Sequence, residues 1–87
     1  MLKIWTDEAW DDYLYWQRTD RKVLRRINDL IRDIERGGDG GIGKPEPLTG
    51  NLSGFWSRRI DQTHRIVYRI RDGNLEIAQC RTHYGAK

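Results

Sequence analysis

Glu46 stands between Pro45 and Pro47, Arg65 opens a strand-like run, and His83-Tyr84 lies near the C-terminus of this 87-residue chain. A carboxylate, a guanidinium, an imidazole and an aromatic ring could together cut RNA without a metal. RNA carries a 2′-hydroxyl beside each phosphorus, and a carboxylate or imidazole that takes its proton lets the oxygen attack. The resulting phosphorane carries extra negative charge, which a fixed guanidinium aimed at its non-bridging oxygens stabilises. The departing 5′-oxygen needs a proton, and a histidine, with an ordinary pKa of about 6.5, can hold one near neutrality. Tyr84 could hold a base by its ring face, a contact worth roughly 1–3 kcal/mol and tolerant of sequence.

Each of these residues also has a blander reading. Pro45 fixes φ just before Glu46, and Pro47 pushes Glu46 toward an extended backbone, so the carboxylate sits on a stiff segment suited to a base. A glutamate in a proline-rich turn is nonetheless usually only solvated. On spacing alone His83-Tyr84 reads first as an exposed terminus. Arg58, Arg59, Arg65, Arg69 and Arg81 recur on candidate strands, and most are expected to be surface charges or phosphate positioners. His64 has no evident proton partner and reads as structural. Trp5, Trp10, Trp16 and Trp56 read as core or partner-contact aromatics.

The elements that must position these groups follow from patterning. Leu2-Lys3-Ile4-Trp5 reads as a short strand, and Thr6 or Asp7 offers a cap for a first helix with Ala9, Trp10, Tyr13, Leu14 and Gln17 at helical spacing. Asp7, Glu8, Asp11 and Asp12 load its early turns with negative charge, which suits the helix dipole. Thr19-Asp20 ends this helix and caps a second, whose Val23, Ile27, Leu30, Ile31 and Ile34 share one stripe and whose C-terminal cap falls at Gly37. Residues 37–43 read as a hinge-like glycine connector without the spacing of a phosphate loop. Residues 54–60, 64–70 and 75–82 read as three strands of an antiparallel meander, the last two joined by an Asp-Gly turn. Ile66, Tyr68 and Ile70 are expected to face the helices, leaving Arg65, Val67 and Arg69 on an uncovered face. Alternation does not fix the inward face of the third strand. The fold class is therefore α+β, two N-terminal helices on one face of an antiparallel sheet, in a single domain over residues 1–87.

Sixteen Lys and Arg against 13 Asp and Glu give a formal charge of +3, and its distribution is uneven. Residues 56–87 hold seven basic and three acidic side chains, an excess suited to an anionic partner. The single cysteine, Cys80, allows no internal disulfide and fits a reducing cytoplasm, where it packs as a small apolar group. Two histidines and one cysteine at no ligand spacing make a zinc site unexpected, so neither metal nor cofactor is anticipated. No stretch has the ~18 apolar residues of a membrane span, so a soluble cytoplasmic protein is expected.

Residues 10–17 (WDDYLYWQ), 43–48 (GKPEPL), 51–60 (NLSGFWSRRI), 64–68 (HRIVY) and 80–84 (CRTHY) closely resemble the YoeB family of toxins, in the RelE/ParE superfamily. The resemblance runs from residue 1 to about residue 84. It implies a RelE-like fold and an endoribonuclease that cuts mRNA in the ribosomal A site. It also implies a YefM-type antitoxin partner and self-association as a homodimer. By position it makes Glu46 the general base, Arg65 the phosphate stabiliser, His83 the general acid and Tyr84 the stacking group, with Lys44 and Arg59 assisting against phosphate charge. The chain departs from its relatives at Thr49-Gly50, where they often place basic or imidazole side chains, and in a tail, Gly85-Ala86-Lys87. Two other readings stay open: a non-catalytic module that binds ribosome or antitoxin, and a gyrase-directed toxin of the same fold.

Overall fold

The computed structural model describes residues 1–37 and 41–82. Strand β1 (Lys3–Trp5) leads into helices α1 (Asp7–Thr19) and α2 (Arg21–Glu35), followed by strands β2 (Glu46–Pro47), β3 (Trp56–Arg59), β4 (Arg65–Arg71) and β5 (Asn74–Gln79). The sheet runs in the order β1-β5-β4-β3-β2. Pairs β2–β3, β3–β4 and β4–β5 are antiparallel, whereas β1 lies parallel to β5. That pairing follows from the helix pair, which carries the chain from β1 over one face of the sheet before the meander begins.

Local chemistry sets the helix ends. The Thr6 hydroxyl accepts from the Ala9 N–H at 3.0 Å, capping α1. Asp20 serves both helices: its N–H donates to the Trp16 carbonyl at 2.9 Å, and its carboxylate accepts from the N–H groups of Lys22 and Val23. Gly37, at φ +82°, takes the left-handed turn that stops α2 and returns its N–H to the Ile34 carbonyl.

Ile27, Leu30, Ile31 and Ile34 of α2 pack with Ala9 and Trp16 of α1 against Ile66, Tyr68, Leu75 and Ile77. Residue Ile70 departs from expectation. It is half exposed, at the lip of a cleft it shares with Ile34, Pro45 and Trp56, where the helical layer stops short. The inward face of β5 is settled by a bulge: Tyr68 pairs with Ile77 and Val67 with Gln79, leaving Ala78 as an extra residue. The bulge turns Gln79 toward the uncovered face and Cys80 into the core, so β5 ends at Gln79 rather than continuing to residue 82. Among the described residues no helix is long and apolar enough to cross a membrane.

Candidate active site

The face of the sheet turned away from the helices carries the candidate groups, and it is not bare as expected: Val67 and Ser57 on it are buried. Glu46 pairs across to Ser57, Ser57 to Val67, and Arg59 to Arg65, so all five lie on one surface. An Arg65 Nη1 stands 3.8 Å from a Glu46 carboxylate oxygen, with side chains 39% and 53% exposed respectively. The same nitrogen donates to the Ser57 hydroxyl at 3.4 Å. Two arginines directly opposite one another on neighbouring strands repel. Arg59 and Arg65 hold that position at the surface, where an anion between them would relieve it.

The segment carrying Glu46 is an edge strand rather than the loop its prolines suggest, and Pro47 is tolerated there because an edge leaves N–H groups unpaired. The chain before it is not a free hinge over residues 41–43. Arg58, expected at the surface, is only 2% exposed and ties that stretch down. Its guanidinium donates to the Asp33 carboxylate on α2, to the Ile42 carbonyl at 3.2 Å and to the Tyr68 hydroxyl at 3.0 Å. The Asp33 carboxylate also accepts from the Ile42 N–H at 3.2 Å. The hydrogen bond from Arg58 holds the Asp33 carboxyl below its ordinary value. Burial works against the Arg58 charge, but the Tyr68 hydroxyl and Asp33 outweigh it and raise its pKa. Gly43 accepts from the Arg59 N–H at 2.7 Å, and a Cβ there would sit 2.8 Å from the Leu30 side chain. Lys44 follows at φ +51°, a left-handed conformation that non-glycine residues adopt at a cost and that recurs at functional segments.

Several other polar residues are structural. Arg69 pairs with Glu76 and lies over the Phe55 ring, its carbon 4.5 Å from the centroid, and Arg81 lies 3.6 Å from the Tyr15 centroid. Of Arg58, Arg59, Arg65, Arg69 and Arg81, Arg59 and Arg65 remain to meet an anion. His64 is structural as expected, but it has a partner: its Nδ1 accepts from the Thr82 N–H at 3.0 Å while its ring packs edge-on against Trp16. Thr82 also donates from its hydroxyl to the Thr63 carbonyl at 2.8 Å. Asp12, read from sequence as a helix-dipole residue, is buried and accepts from the Cys80 N–H at 3.0 Å. Burial, with the Asp12 charge nearby, pushes the Cys80 thiol up to about 12, so it packs as an inert group. His83 and Tyr84, like Gly38–Gly40 and the 85–87 tail, lie outside the described residues. The chain leading to His83 is held at Thr82 against Thr63 and His64, the two residues before Arg65.

Comparison with known proteins adds the family. A family model described as a YoeB-like toxin of bacterial type II toxin-antitoxin systems matches residues 5–84. The toxin YoeB of Escherichia coli K12 is 58% identical over 84 residues, covering 97% of this chain and 100% of that protein. A YoeB/ParE toxin structure from Agrobacterium tumefaciens superposes with a TM-score of 0.91 at 52% identity, covering 97% of this chain and all of that one. A Staphylococcus aureus YoeB, solved in complex with YefM, superposes at 0.90 with 43% identity, covering 97% and 99%. A YoeB dimer from the same organism superposes at 0.88 with 44% identity, covering 97% and 98%.

Proposed function

From the premise that this chain belongs to the YoeB-like toxins of bacterial type II toxin-antitoxin systems, we propose that it is a ribosome-dependent endoribonuclease cleaving mRNA in the ribosomal A site. The observation that carries this reading is the placement of Glu46 3.8 Å from Arg65, both part-exposed, on the sheet face turned away from the helices. Glu46 takes the proton of the 2′-hydroxyl, whose oxygen attacks the adjacent phosphorus. Arg65 meets the charge on the phosphorane oxygens, with Arg59 and Lys44 contributing to the phosphate field. The bond from phosphorus to the 5′-oxygen breaks as His83 gives that oxygen a proton, leaving a 2′,3′-cyclic phosphate and a 5′-hydroxyl. Tyr84 stacks on a base and orients the nucleotide. The guanidinium supplies the positive charge, so no step calls on a metal.

The toxin acts in the cytoplasm, where ribosomes and mRNA are, and a YefM-type antitoxin neutralises it. The antitoxin's acidic, disorder-prone segment folds on the basic surface. The chain self-associates as a homodimer, by analogy with the S. aureus YoeB dimer. Mapping the 5′ ends of mRNA on programmed ribosomes, with and without EDTA, tests the activity. New ends at one position in the A-site codon, unchanged by EDTA, are expected. Translation arrest without new ends would favour a non-catalytic binding module instead.

A further inference from the structure

We infer that Ser57 is a positioning residue for this reaction, holding the Arg65 guanidinium short of a closed ion pair with Glu46. The inference rests on the nuclease reading above. Ser57 occupies the middle of the site, cross-strand neighbour of Glu46 on one side and of Val67 on the other. It is buried although it lies on the face turned away from the helices. A buried place in an inner strand favours a β-branched or apolar residue, and a hydroxyl there costs free energy unless it is hydrogen-bonded. A local rule set aside in this way is a mark of functional sites.

The geometry states what the hydroxyl does. One nitrogen, Arg65 Nη1, lies 3.4 Å from Ser57 Oγ and 3.8 Å from Glu46 Oε2. Closed arginine–carboxylate pairs have N–O separations of about 2.7–2.9 Å and are often bidentate. Such closure would make Glu46 a poorer base, since an adjacent cation favours the ionised carboxylate, and would turn the guanidinium away from phosphate. Ser57 offers a competing acceptor that carries no charge of its own. Accepting from Arg65 also leaves its O–H able to donate. Arg69, the next cation along this face of β4, is held by Glu76 and Phe55 and does not compete for Glu46.

Single-turnover and steady-state cleavage on programmed ribosomes test the inference. Ser57→Ala should lower kcat about 10-fold while KM stays within about 2-fold, because the loss falls on the chemical step. Ser57→Thr, which keeps the hydroxyl, should restore most of kcat. Arg65→Lys should cost less in the Ser57→Ala background than in the wild type, because the two residues act as a unit. Full kcat in Ser57→Ala, or Ser57→Thr as slow as Ser57→Ala, overturns the inference. Glu46→Ala separates the two levels: if it retains full activity the nuclease reading falls and this inference with it. If it is inactive while Ser57→Ala is unimpaired, only the role of Ser57 is lost.

Discussion

A carboxylate that is to take a proton from a 2′-hydroxyl must be reachable and not locked to a cation. Glu46 meets these conditions half exposed on an edge strand, at a distance from Arg65 longer than a closed pair. Replacing Glu46 or His83 by Ala should therefore lower the cleavage rate on programmed ribosomes by factors on the order of 10²–10⁴ each. The urea unfolding midpoint of the Glu46 variant should hardly change, since Glu46 lies at the surface; wild-type rates in both variants would remove the assigned roles. Glu46 was conspicuous in the sequence because two prolines frame it. Arg65 was not separable from its fellow arginines by spacing, because nothing local distinguishes a guanidinium that Glu76 or Asp33 occupies from one left for a ligand. The sequence does carry a signal for Arg58: Trp56, Arg58 and Ile60 alternate with Ser57 and Arg59, which puts Arg58 on the apolar face. Its partner Asp33 lies 25 residues away in sequence, beyond any periodicity.

Among the elements, the connector between α2 and β2 carries the most consequence. Its residues 41–43 are joined through Arg58 to α2 and the sheet, so the backbone that presents Glu46 is set by the core rather than by the prolines alone. Arg58→Met leaves the Asp33 carboxylate without its guanidinium and should lower the urea unfolding midpoint. Cleavage should fall further than the loss of folded protein explains; activity that tracks the folded fraction would show that the latch does not position Glu46. The same pair sets a pH dependence. Arg58 holds the folded-state Asp33 carboxyl below its ordinary 3.8, so the unfolded chain binds that proton more tightly. The stabilisation is fully present above that ordinary value and is lost as pH falls through the lowered folded-state value. Glu76, lowered from 4.5 by its hydrogen bond from Arg69, acts in the same direction. Urea midpoints should decline as pH drops below about 4, and less steeply in Arg58→Met; equal slopes would contradict the coupling. Both helices, their shared cap at Asp20 and the three meander strands were legible, because amphipathic period and turn chemistry are local. Three features were not. The edge strand at Glu46-Pro47 is too short to show a period, the bulge at Ala78 depends on pairing with β4, and the parallel docking of β1 depends on a partner some seventy residues away.

For the molecule as a whole, charge and topology converge. The helices cover one face of the sheet and leave the other to present Arg59, Arg65 and Glu46, while the positive excess of the C-terminal third favours an anionic partner. If Arg59 meets a phosphate, Arg59→Ala should weaken ribosome binding and make the slope of log K against log salt shallower by about one unit. An unchanged slope would place Arg59 outside the interface. Trp10, packed with Trp5 and Tyr13 and 46% exposed, lies on the helical side, so a partner seated on that cluster need not obstruct the face that carries Glu46 and Arg65. The central claim is that this face directs a substrate 2′-hydroxyl onto its own phosphorus. Its most direct test is cleavage of ribosome-bound mRNA carrying a single 2′-deoxynucleotide at the mapped position. Unmodified mRNA should yield a 2′,3′-cyclic phosphate and a 5′-hydroxyl while the deoxy message survives intact; cutting of the deoxy message at that position, or a 5′-phosphate on the product, would contradict it.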